Sequence, residues 1–224
     1  MNTLLSTLAI ASLCAIALGD DIVSELTNAD PTMDRRSDTG AIITGDCDGV
    51  TSPDSINDDV PYQVFYFQPT AQNVPLDVTV TSLEAQPIDF DPFLTIYCDL
   101  FIPGNPDANL LHVNDDGAGY PNAFTVGGHG TDPEVVYAAV VSSYSNWAPS
   151  RLGEFRITLG PGLEFTPAPC VVDYTDDGIL DFFDVSEFLD LFGAQDPLAD
   201  LDNNGLYDFF DVSAFLDLFG AGCP

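Results

Sequence analysis

The sequence predicts a mainly β protein: an antiparallel β-sandwich, jelly-roll-like, followed by a small all-α unit of two loop-helix repeats. Three observations predict it. Apolar and polar residues alternate with period two over much of 38–160, as strands with one wet face require. A segment near the C-terminus occurs twice at a spacing of 27 residues, each copy ending in apolar residues at helical spacing. Finally, 46% of the 224 residues are hydrophobic and 11% aromatic, enough for a core of ordinary size in a chain whose charge alone would suggest disorder.

That charge narrows the function classes. Asp and Glu number 36 against 4 Lys plus Arg, no lysine occurs, and the formal net charge is -32. Neutralising phosphates needs clustered bases, and Arg35, Arg36, Arg151 and Arg156 cannot supply them. Nucleic acid is therefore excluded as a partner, and an anionic membrane surface would repel the chain.

Residues 1–19 (MNTLLSTLAIASLCAIALG) carry no charge, run apolar from Leu4 to Leu18, and end on Ala17, Leu18 and Gly19 before Asp20 and Asp21. They read as a secretory signal peptide. The expected location is extracellular or cell-surface associated, with no integral membrane segment after cleavage. The n-region lacks its usual Lys or Arg, so a retained membrane anchor is the competing reading. Lipid attachment at Cys14 is rejected, because Leu13 before it is not small. Cleavage removes Cys14 and leaves four cysteines in an oxidising compartment, where disulfides are the default. Three pairings are open for Cys47, Cys98, Cys170 and Cys223. The last two bracket one segment and are expected to join, leaving Cys47 with Cys98.

After a lead segment at 20–37, the sandwich is read over 38–160. Leu76, Val78 and Val80 alternate with Asp77, Thr79 and Thr81, and Leu94, Ile96, Cys98 and Leu100 with Thr95, Tyr97 and Asp99. Further strands are expected at 62–68, 109–113, 122–126, 134–144 and 152–159, separated by Gly, Pro, Asn and Asp turns. Residues 161–169, rich in Pro and Gly, read as a semi-rigid linker.

The repeat carries the most chemistry. Aligning 173–194 with 200–221 gives 15 identities in 22 positions, one structural unit used twice. Oxygen side chains stand at loop positions 1, 3, 5, 9 and 12: Asp173, Thr175, Asp177, Asp181 and Asp184, then Asp200, Asp202, Asn204, Asp208 and Asp211. Gly178 and Gly205 hold position 6, and the carbonyls of Ile179 and Leu206 stand at position 7. This is the spacing of an EF-hand calcium loop, with glycine for the sharp bend. Four carboxylates in each loop repel one another unless a hard cation joins them, and a flexible oxygen cage suits calcium better than magnesium. Two calcium ions are expected, the first held less tightly because Thr175 is the weaker ligand. Helices follow each loop, with Val185, Phe188, Leu189 and Phe192, and then Val212, Phe215, Leu216 and Phe219, as apolar faces. Gly193 and Gly220 are expected as stops. No helix is expected before either loop.

Two loop-helix units without entering helices resemble a dockerin, and Cys170 with the closing Gly222, Cys223 and Pro224 resembles the bacterial GC-type dockerin domain over 170–224. The resemblance implies a disulfide clasp between the module's ends. It also implies calcium-dependent docking onto a cohesin-like receptor, which tethers the protein to a scaffold or cell surface. Cellulosomal dockerins carry small hydroxyl residues at loop positions 10 and 11, whereas Phe182, Phe183, Phe209 and Phe210 stand here, so a different partner is implied. These four residues are candidate partner-binding anchors. Against that, a unit of about 55 residues has few side chains to fill a core, and at least one Phe of each pair is expected inside.

The strand order DFDPFLTIY, LLHVNDDGAGYPNAF, VVYAAVVSSY and GEFRITL is similar to a bacterial pre-peptidase C-terminal domain over 38–160. That resemblance implies a non-catalytic module of a secreted protein, in some members binding polysaccharide or collagen. Asp89, Asp91, Asn114, Asp115 and Asp116 suit turn chemistry, with a third calcium as the alternative. Tyr97, Tyr120, Tyr144 and Trp147 are read as packing, with a sugar-stacking or protein-contact platform as the alternative. Only His112 and His129 offer imidazole, and neither lies in a zinc-protease motif; no Gly-x-Ser-x-Gly elbow occurs. No catalytic residue is assigned. The sequence thus reads as a secreted non-enzymatic binding module anchored by a calcium-loaded tail; a tethered hydrolase, or an adhesin for polysaccharide or matrix protein, are the alternatives.

Overall fold

The computed structural model describes residues 21–37, 55–84, 90–98, 101, 110–115, 123–124, 130–144, 152–175, 177–201 and 205–223. Among these, ten strands form two antiparallel sheets: β1 Asp21–Leu26, β2 Thr32–Ser37, β3 Ser55–Pro69, β4 Val78–Ser82, β5 Pro92–Cys98, β6 Leu110–Asn114, β7 Ala123–Phe124, β8 Tyr137–Ser143, β9 Gly153–Leu159 and β10 Leu163–Phe165. The smaller sheet runs β1-β9-β4-β7. The larger runs β10-β3-β8-β5-β6, with β2 added to β3.

The two sheets close on one core. Leu26, Val78, Val80, Phe155 and Ile157 from the smaller sheet meet Phe67, Leu94, Ile96, Ala139 and Val141 from the larger, all fully buried. Strand β9 shows the alternation expected of a sheet with one wet face: Gly153, Phe155, Ile157 and Leu159 are buried, while Glu154 and Arg156 are exposed. A β-sandwich-like architecture follows from this two-sheet packing.

The larger sheet departs from the expected pattern. All seven residues of β5 and of β8 are buried, so the positions opposite Leu94 and Ile96 do not face water. Phe93 and Tyr97 join Ala138, Val140, Tyr62 and Val60 in a second core, closed by Met33 of β2 and by Phe101. Alternation in these strands separates two apolar cores rather than core from solvent, because another layer covers the outer face. The β-structure also extends past 38–160. The lead segment supplies β1, which pairs with β9 from Asp21↔Thr158 to Leu26↔Gly153, and β2. The linker supplies β10, which pairs with the end of β3 from Leu163↔Pro69 to Phe165↔Phe67.

Two helices follow, α1 Phe182–Ala194 and α2 Phe209–Ala221, with a single 3-10 turn at Pro197–Ala199 between them. Among the described residues, turns and no helix precede Asp173, as expected, whereas a 3-10 helix, Pro197–Ala199, directly precedes Asp200, where none was expected. The expected glycine stops are not the ends. Gly193 and Gly220 lie inside the helices, and α1 is instead closed by Gln195 in the left-handed region (φ 56°), whose N–H donates to the Leu191 and Phe192 carbonyls. Gly222 closes α2. Cys170 and Cys223 are disulfide-bonded across a separation of 53 residues. Cys98 is also disulfide-bonded; its expected partner, Cys47, lies outside the described residues, as does the 1–19 segment. No described helix is long and apolar enough to cross a membrane.

Candidate metal centre

Each repeat copy runs from loop into helix, and the same residues shape both. Asp181 caps α1, its carboxylate accepting the Phe183 N–H at 2.7 Å. Asp184, one turn into the helix, reaches back to accept the Asp181 N–H at 2.9 Å. This capping box satisfies donors that a helix N-terminus leaves open. The second copy repeats it: Asp208 accepts from the Phe210 N–H at 2.8 Å, and Asp211 from the Asp208 N–H at 2.9 Å. Loop positions 9 and 12 therefore have a structural role of their own.

The first loop then folds over Asp184. Its second oxygen, Oδ1, accepts the Thr175 N–H at 3.1 Å and the Thr175 hydroxyl at 3.0 Å, and that hydroxyl lies 3.5 Å from Asp173 Oδ1. Asp173 accepts the Asp177 N–H at 3.2 Å and the Gly178 N–H at 2.8 Å. Oxygens of positions 1, 3 and 12 thus meet around the Thr175 hydroxyl. These separations are those of hydrogen bonds centred on the Thr175 hydroxyl. The donors are oxygen only, which suits a hard ion and not zinc.

Other predicted donors point elsewhere. The Asp177 carboxylate accepts the Ile179 N–H at 2.9 Å, and Asp181 is turned to its helix. Among the described residues no three His, Cys, Asp or Glu side chains form a group that could hold a metal. In the second loop Asp200 accepts the Gly205 N–H at 2.8 Å, as Asp173 does in the first; Asp202 and Asn204 lie outside the described residues. Gly178 and Gly205 have φ of 77° and 78°. Nothing stands within 4 Å of where their Cβ atoms would be, so the need for glycine at position 6 is purely conformational.

Asp184 and Asp211 are wholly buried, at 0% exposure, in a segment (170–224) with thirteen acidic residues and no Lys, Arg or His. The Asp181 N–H, with the Thr175 N–H and hydroxyl, holds the Asp184 carboxyl below the usual range against burial, which acts the other way. Hydrogen bonding prevails because several donors bind the charged form directly, and together they outweigh the effect of burial.

The two loops share one core. Phe188 and Phe215, equivalent positions of the repeat, stack with centroids 4.1 Å apart and planes 3° from parallel, and Val172 and Ala199, another equivalent pair, are buried with them. Tyr174 of the first loop packs on both rings and donates its hydroxyl to the Leu198 carbonyl at 2.9 Å, just before the second loop. Burial, and then the negative Asp211, push the Tyr174 phenol up to about 12.

With that stack occupying the centre, the expectation that one Phe of each pair is core fails. Phe182, Phe183, Phe209 and Phe210 are 74%, 66%, 74% and 65% exposed. Leu189 and Leu216, expected on the inner helix faces, are exposed too, as are the side chains of Ile179 and Leu206, which sequence reasoning singled out only for their carbonyls.

In the sandwich, the pairing Leu94↔Asn114 sets the start of β5, with Asp91, at the same sheet end as Asn114 and Asp115. Asp89 and Asp116 lie outside the described residues. His112 is buried in β6, Tyr97 is core and Tyr144 is exposed; Tyr120, His129 and Trp147 lie outside. Comparison of the chain with family models, curated proteins and solved structures yields no match.

Proposed function

We propose that residues 170–224 form a calcium-dependent docking module of the dockerin type, which anchors a non-catalytic β-sandwich of a secreted protein to a scaffold or surface receptor. The observation that carries this reading is the repeated burial of Asp184 and Asp211 in a segment without a basic side chain. Asp173, Thr175, Asp177, Asp181, Asp184 and the Ile179 carbonyl would hold one ion. Asp200, Asp202, Asn204, Asp208, Asp211 and the Leu206 carbonyl would hold the other. Calcium, when bound, supplies positive charge at the point where these carboxylates converge. The chain itself supplies the cage: Gly178 and Gly205 turn the loop, Asp181 and Asp208 fix the helix starts, and the Phe188–Phe215 stack joins the two halves.

Calorimetric titration of the full chain with calcium tests the reading. Two ions per chain and a gain of helical circular dichroism are the expected outcome. Absence of binding heat, with no change in helical signal, would remove its basis.

A further inference from the structure

Exposed aromatics on a soluble protein need a reason, and here they come in matched sets. Phe182 and Leu189, seven residues apart, share one face of α1, as Phe209 and Leu216 share one face of α2, and all four are more than half exposed. Phe183 and Phe210 extend each face. From the areas that such side chains present, each set amounts to about 400 Å², close to the largest apolar patch on an ordinary monomer. Patches of this size are often functional, and here the same one occurs on both helices.

The rim identifies the partner's chemistry. Phe183 lies on the helix face of Glu187 and Asp190, four and seven residues on, and Phe210 on that of Asp217; all three acids are exposed. The segment holds thirteen acidic residues and no base, so two divalent ions, offsetting four charges, leave nine. A second copy of the chain would bring a further net charge of -32 against this surface, which disfavours self-association. A lipid surface is disfavoured as well, because interfacial helices draw on Lys and Arg for anionic headgroups.

We infer that each aromatic face docks into an apolar pocket of a protein partner whose rim is lined with Lys and Arg. The inference rests on the docking role proposed above and specifies what the docked surface is. Apolar anchors supply affinity, while the opposed charges orient the approach and exclude acidic competitors.

Panning a random peptide library against the full chain in calcium tests it. Recovered peptides should place Lys or Arg beside apolar residues. The quadruple variant Phe182→Ser, Phe183→Ser, Phe209→Ser, Phe210→Ser should bind them roughly tenfold or more weakly. Replacing Glu187, Asp190 and Asp217 by their amides should weaken the same peptides and flatten the salt dependence of binding. Because the four aromatics are exposed, the quadruple variant should keep its calcium titration and circular dichroism. No enrichment, peptides without basic residues, equal binding by the quadruple variant, or Phe-dependent sedimentation with phosphatidylcholine vesicles would overturn the inference. The calcium reading fails separately, when the wild-type chain takes up no calcium.

Discussion

Asp184 and Asp211 hold the helix start with one oxygen, and in the first loop the other oxygen gathers Thr175. A substitution that keeps the cap but removes the charge separates the cap from the cage. Asn retains a carbonyl oxygen to accept the Asp208 N–H, so Asp211→Asn is expected to leave α2 folded while abolishing one of two calcium-binding events; Asp190→Asn, on the helix surface, should leave both. Calorimetry with each variant, checked by circular dichroism, decides this. Retention of both events in Asp211→Asn would reduce the position-12 carboxylates to capping residues. At this scale the sequence was informative where chemistry repeats: the position-6 glycines Gly178 and Gly205 take the positive φ that the loop's bend requires. The fate of the phenylalanines was not legible. Seven Phe compete for one small core between 182 and 215, and only Phe188 and Phe215 stack at its centre. A count of apolar residues cannot tell which pair wins.

Among elements, the segment from Cys170 to Cys223 combines two short helices, two loops and little regular structure to bind them. Its buried core of Val172, Phe188, Ala199 and Phe215 is small, and below about 70 residues such cores seldom suffice alone. The disulfide closes a loop of 53 residues in sequence, which in the chain-entropy model removes about 4 kcal/mol of freedom from the unfolded state. Chelation together with reduction is therefore expected to melt α1 and α2 while the strands persist. A thermal scan of the full chain should then lose helical signal at low temperature and keep a β transition; an unchanged scan would count against both the clasp and the ions as its supports. Helix positions were legible from the repeat, but helix ends were not. Gly193 and Gly220 match the stop pattern, yet the helical hydrogen bonds run past them until Gln195 and Gly222 take up the positive φ.

For the whole molecule, period-two alternation announced sheets but could not say what lay on the far side of each. In β9 the second face is water; in β5 and β8 it is another apolar layer, and the sequence of one strand carries no record of which strands cover it. That second layer makes a pH prediction. Tyr62 and Tyr66 of β3 belong to or pack against it, and burial raises both phenols above the ordinary value of 10.0, Tyr66 also through the charge Tyr62 would acquire. The folded state therefore keeps protons that the unfolded chain has begun to release, so stability is fully present below pH 10 and falls as pH rises beyond it. Denaturant midpoints of the β transition should hold steady through neutral pH and drop in the alkaline range, alongside tyrosinate absorbance. Tyr66→Phe, which removes one of the two protons, should make that drop shallower. An identical alkaline slope in wild type and variant would exclude Tyr66 from the groups whose titration destabilises the fold.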